Sequence, residues 1–160
     1  MPNPVRKNPY EPLALEKIEA CIASQSKTLS LRGLKITEIP EEIEQCTWLE
    51  ALDLESTHIS DFSALKSLTT LRKLWMGNSK VSNLKSLEFL PKLEKLSVSN
   101  TRISTLDDLR FVPELLHLDI WGIRIQDLQG LEHTPELRTL WAGGNKFSDL
   151  EALVHVPLLE

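Results

Sequence analysis

Apolar residues return to the same places along this chain every 22 residues. One column runs Leu49, Leu71, Leu93, Leu115, Leu137 and Leu159, and a second runs Leu52, Leu74, Leu96, Leu118 and Leu140. In step with them come Leu54, Met76, Val98, Ile120 and Ala142, then Ile59, Val81, Ile103, Ile125 and Phe147, then Phe62, Leu84, Leu106, Leu128 and Leu150. Leu65, Leu87, Leu109, Leu131 and Leu153 form a sixth column. The seventh, Leu68, Leu90, Val112, Thr134 and Val156, holds the one polar residue of the set, Thr134. A unit this short cannot bury its apolar side alone, so the pattern predicts stacked coils that share a continuous core.

Within each unit the period changes. The segment L-x-x-L-x-L alternates in twos, which predicts a short strand with leucines inward and the intervening residues outward. In residues 116–125, LHLDIWGIRI, Leu118 and Ile120 therefore face the core, and His117, Asp119 and Trp121 face away. The remainder, such as ISDFSALKSLTT, spaces its apolar residues by three, as a 3₁₀ or short helical turn behind the strand requires. Ser60 or Asp61, with the equivalents Ser82, Asn83, Ser104, Asp127, Ser148 and Asp149, stand where that turn needs an acceptor for its free N–H groups. Pro91, Pro113, Pro135 and Pro157 stop each turn two residues before the next strand's first leucine.

With these columns in register, residues 26–160 resemble the leucine-rich repeat family. The likeness is to the 22-residue class found in a protein-phosphatase regulatory subunit and in bacterial internalins. It implies an α/β solenoid: a right-handed superhelix of about six repeats, with a concave parallel β-sheet and convex 3₁₀ or short helical turns. The family's turn asparagine is matched by Thr57, Ser79, Thr101, Ile123 and Asn145. Thr and Ser can bond nearby backbone in place of an amide; Ile123 cannot, so the fifth turn is where the backbone is expected to differ.

The first unit is one residue longer and contains Ile39-Pro40, a variant common at the start of bacterial repeats. Before it, PLALEKIEACIA places Leu15, Ile18 and Ile22 on one helical face, with Pro12 tolerated in the first turn. Residues 1–25 are thus expected to be an arm, extended over 1–11, and a helix capping the N-terminal end of the core. Helix and Ile-Pro turn together also resemble, more distantly, the start of repeat domains in bacterial Roco GTPases. At the far end LVHVPLLE has no polar capping repeat after Leu158 and Leu159. That leaves open a fragment of a larger effector or GTPase-containing protein, or a homodimer formed through the C-terminal edge.

The outward positions of the strands form ladders. Between the inward leucines stand Ser30, Asp53, Trp75, Ser97, Asp119 and Trp141. Two positions earlier are Thr28, Ala51, Lys73, Lys95, His117 and Thr139, and two later are Arg32, Glu55, Gly77, Ser99, Trp121 and Gly143. Trp75, Trp121 and Trp141, beside Lys73, Lys95, His117 and Asp119, make a candidate surface for a helix or extended segment of a protein or peptide partner, since exposed aromatic clusters mark contact sites. The competing reading has Trp121 and Trp141 packing on each other over Gly77 and Gly143. A further line, His58, Lys80, Arg102, Arg124 and Lys146, suggests an anionic partner or an ordinary solvated face.

Charge and composition narrow the classes further. A net charge of -5 argues against a general nucleic-acid binder. The chain has neither a long apolar run for a membrane span nor a classical signal segment, which makes the cytoplasm the default address, with export as an effector the alternative. Cys21 and Cys46 form no metal-binding spacing and are expected to be thiols in partly buried positions. No catalytic motif appears, and no metal or cofactor is implied. His133 and His155, in register with Phe89 and Phe111, read as packing, and Lys73, His117 and Asp119 lie on an open sheet unsuited to acid–base catalysis. The expected role is non-enzymatic binding.

Overall fold

The computed structural model describes residues 9–160. Six three-residue strands pair in chain order into one parallel sheet: β1 Thr28–Ser30, β2 Ala51–Asp53, β3 Lys73–Trp75, β4 Lys95–Ser97, β5 His117–Asp119 and β6 Thr139–Trp141. The register is that of the sequence columns, with Leu29, Leu52, Leu74, Leu96, Leu118 and Leu140 directly opposite one another. Segment 116–125 is strand only over its first half, because the chain bends at Gly122 into the rising turn.

Behind the strands lie the 3₁₀ turns Glu41–Gln45, Ser63–Ser67, Lys85–Phe89, Asp107–Phe111, Leu131–His133 and Glu151–His155. Side chains two residues earlier accept the first N–H in the second, third and sixth turns: Asp61 Oδ1 from Ser63 (2.8 Å), Asn83 from Lys85 (3.2 Å) and Asp149 from Glu151 (3.2 Å), while Asp127 holds Gln129 N–H (3.1 Å) ahead of the fifth turn. In the fourth coil the acceptor is Thr105 Oγ1, not the expected Ser104. Thr134, the polar exception in the columns, is fully buried and donates to the Leu131 carbonyl (3.1 Å), so its hydroxyl is satisfied in the core.

A 15-residue helix, α1 Tyr10–Ser24, covers the N-terminal end of the stack. It begins earlier than the sequence suggested, taking in Tyr10 and Glu11 with Pro9 at its N-cap; residues 1–8 of the expected arm lie outside the described residues. Its buried stripe is Ala14, Ile18 and Cys21, and the expected Leu15 and Ile22 flank it half-buried. Close packing on β1 and the first turn favours small residues at the contact line. Cys21 meets Cys46 there, and burial together with the neighbouring thiol pushes Cys46 up to about 11. Trp48 is partly buried and donates its indole N–H to the Ser26 carbonyl (3.0 Å), fastening the first coil to the helix end.

One further column carries no apolar signal. Just after the strands, Gly33, Ser56, Asn78, Asn100, Gly122 and Gly144 all have φ between 53° and 77°. Glycine and asparagine, which tolerate the left-handed region, hold five of its six places and Ser56 the other; that restriction is the signal the sequence carries.

Candidate functional site

The concave sheet carries the outward rows, and its two halves differ. Near the N-terminus Arg32 forms a two-pronged ion pair with Glu55 (Nη2–Oε1 3.1 Å), which occupies that row with its own partner. Farther along, the row continues as Gly77, Ser99, Trp121 and Gly143, and an open basin of about 610 Å³ forms. Trp75, Trp121 and Trp141 line it together, with Lys95, His117 and Asp119. Lys73 is exposed on β3 outside the basin, so it alone of the expected residues is not gathered there. Glu55, Asn78, Ser97, Ser99 and Asn100 complete the wall. They were absent from the expected set because short polar side chains carry no distinctive signal on an outward row.

Trp121 is placed by its neighbours. Asp119 Oδ1 accepts the Trp121 backbone N–H (3.0 Å) and Asp119 Oδ2 accepts the Ser97 hydroxyl (2.9 Å). Both carboxylate oxygens are therefore engaged in building the wall, as in the equivalent bond from Glu55 N–H to Asp53 Oδ1 (3.0 Å). The indole lies against the next coil: a Cβ added to Gly143 would stand 2.1 Å from its Cζ3 and 2.5 Å from its Cε3, and one on Gly144 would sit 3.2 Å from its Nε1. The floor under Trp121 is thus Gly143–Gly144, whereas Gly77 faces Ser99. Trp121 and Trp141 each remain 53% exposed, and Trp75 is half-buried.

His117 Nδ1 lies 3.1 Å from Thr139 Oγ1. Partial burial, reinforced by Lys95 and Arg138, holds its imidazole below the usual histidine range, so it is neutral near pH 7. The basin then presents indole faces, a neutral imidazole, one ammonium and engaged carboxylates: a surface for apolar anchors with a polar backbone between them. His133 and His155 lie on the convex turns, and no group of three or more metal-ligating side chains occurs among the described residues.

Gly143→Ala is expected to lift the Trp121 indole from its seat without unfolding the coil. A red shift of tryptophan emission and easier acrylamide quenching, both absent in Gly143→Ala/Trp121→Phe, are the expected signature. Unchanged spectra would mean that Trp121 does not rest there.

Comparison with known proteins places this geometry. The family model for leucine-rich repeats (two copies) matches residues 69–110. An internalin (inlF) from Listeria monocytogenes is similar over 93% of this chain and 47% of its own, at 26% identity and a TM-score of 0.82. The chain thus spans about half the length of that protein. A Leptospira interrogans leucine-rich repeat protein shares the fold over 83% of this chain and 41% of its own, at 22% identity and a TM-score of 0.68. Internalin C2 (inlC2) of Listeria monocytogenes aligns with 95% of this chain and 91% of its own, at 20% identity and a TM-score of 0.52. No curated protein sequence matches the chain.

Proposed function

We propose that this chain, which belongs to the leucine-rich repeat proteins, binds an extended segment of a protein partner across its concave sheet without acting on it chemically. Leucine-rich repeat folds serve generally as protein-binding modules, and the internalin-like proteins are typically non-enzymatic scaffolds. The observation that carries the finer reading is the basin itself: three indoles from coils successively 44 and 22 residues apart in sequence line one recess, two of them half exposed. Rings left in water at such a place gain on binding what they lose by exposure, and a central tryptophan contributes about 2 kcal/mol or more at a contact site.

Trp75 and Trp141 are three strands apart, about 14 Å at the usual strand spacing. An extended peptide spans that with side chains four residues apart, at about 3.4 Å per residue, and both then point to the same side. Trp121 fills the interval from the next row. Lys95, His117 and Asp119 border the path, and Lys73 meets the partner only beyond the basin.

Trp75, Trp121 and Trp141 replaced together by alanine should leave the circular dichroism and melting curve close to wild type. Capture of partners from native lysate, compared with the wild-type chain, should be lost. Equal capture by both proteins refutes the concave reading.

A second reading has a specific observation of its own. Leu150 (56% exposed), Val154 (76%) and Leu158 (45%) are exposed apolar residues of the sixth coil, whose strand β6 pairs with β5 alone among the described residues. Self-association through that coil predicts a mass that rises with concentration in light scattering, and Val154→Glu should abolish the rise. Among the described residues no helix is long and apolar enough to cross a membrane.

A further inference from the structure

The junction between the fourth and fifth coils departs from the others on its rising side. Elsewhere the N–H of the matching residue after the strand closes on a carbonyl of the preceding coil: His58 to Ile36, Lys80 to Ile59 and Arg102 to Val81, each at 3.0 Å, and Lys146 to Ile125 at 3.4 Å. The corresponding bond from Arg124 to Ile103 is missing. Ile123, buried where other coils carry a polar turn residue, cannot hold the backbone in the usual path. Arg124 takes φ +66° and turns its N–H to Asn145 Oδ1 (2.8 Å). An arginine in the left-handed region is strained, and no other residue of its own column, His58, Lys80, Arg102 and Lys146, adopts it.

A recess of about 500 Å³ opens along the missing rung, lined by Asn100, Arg102, Ser104, Gly122 and Arg124 among others. Among the described residues no carboxylate lines it. The side chains of Asn100, Arg102, Ser104 and Arg124 make no hydrogen bond or ion pair among the described residues, in contrast to the concave basin, where Asp119 and Ser97 satisfy each other. Two guanidinium forks one coil apart, with a neutral amide and a hydroxyl between, form a set of unpaired donors.

We propose that this recess binds a phosphate monoester presented by a phosphorylated side chain of a protein partner. Guanidinium groups match the oxygens of a phosphate in pairs, and two cations balance a dianion where a single carboxylate would leave one uncompensated. Lys80 and Lys146 extend the positive field on either side. The chain as a whole carries -5, which repels a long polyanion but leaves a compact charge free to enter one local positive site.

The test is a ¹H–¹⁵N NMR titration of the whole chain, first with inorganic phosphate and then with a phosphoserine peptide, at constant ionic strength. Saturable shifts are expected in residues 100–104 and 122–124. Affinity should rise between about pH 5 and 7 as the second phosphate proton leaves, near pH 6. Arg102→Gln/Arg124→Gln should weaken binding at least about tenfold, the scale of one charge-assisted bond, while Lys85→Gln/Lys92→Gln should not. Arg124→Gly removes the guanidinium while relieving the strained φ, so it keeps the fold and still loses affinity. The variant lacking Trp75, Trp121 and Trp141 should bind phosphate normally, which separates this site from the concave one. Shifts that do not saturate, or that persist in the double variant, overturn the proposal. Tighter binding of a sulfated oligosaccharide than of the phosphopeptide overturns the partner class.

Discussion

Gly130→Ala is expected to lower the unfolding free energy by about 4 kcal/mol, combining overpacking with a backbone strain that neither coil can relieve. Gly130 has φ +105°, which side chains other than hydrogen rarely adopt, and its missing Cβ would stand 2.5 Å from the Leu106 carbonyl oxygen and 2.6 Å from its carbon. The obstacle is backbone of the preceding coil, so no rotamer change removes it. Gly130 also gives its N–H to Glu132 Oε2 (2.7 Å), and this bond helps to start the fifth turn late, at Leu131. Urea denaturation of the variant measures the loss. A change below about 1 kcal/mol, the scale of an ordinary surface substitution, would show that the fourth and fifth coils do not approach this closely in solution.

Asn145→Ala is expected to destabilise by about 3 kcal/mol, because one amide serves two coils. Its Nδ2 donates to the carbonyls of Ile120 (2.8 Å) and Ala142 (2.9 Å), and its Oδ1 accepts from Arg124 N–H (2.8 Å). In the second and fourth coils Thr57 and Thr101 bond the carbonyl three residues back in their own chain, Leu54 at 2.8 Å and Val98 at 2.6 Å. Ile123 leaves the matching Ile120 carbonyl without that donor, and Asn145 supplies it from the next coil. Because coils interact only with their neighbours, the damage should stay local. Hydrogen exchange should accelerate over residues 120–145 and stay slow over 29–98. Asn145→Asp sharpens the test: it keeps the acceptor for Arg124 and loses both donated bonds, so it should lie nearer to alanine than to wild type. Uniform acceleration along the whole chain would contradict a local role.

The columns made most of this architecture legible. Leu52, Leu74, Leu96 and Leu118 needed no structural information to be placed inward and opposite one another, since a fixed period and an alternating strand leave one arrangement. The same alternation put Trp75, Trp121 and Trp141 outside. Legibility failed where a position depends on what approaches it from another coil. The helix stripe shifted to Ala14, Ile18 and Cys21 because the first coil sits close against it, and Lys73 missed the basin although its row was read correctly. A super-period overlies the repeat: Ser30, Asp53 and Trp75 recur three coils later as Ser97, Asp119 and Trp141, so Asp119 and two of the basin's indoles come from a pattern longer than the repeat.

By itself, then, the order of residues determined the coil, the sheet, its register and which side chains face outward, because these follow from local periodicity and from the need of every unit to bury the same face. Only the tertiary structure decided that Trp121 rests on Gly143, that Asn145 repairs the turn of Ile123, and that a rung is missing beside Arg124. Those outcomes depend on contacts between coils about 4.8 Å apart, where the absence of one Cβ or the reach of one amide sets the geometry, and no single repeat contains both partners.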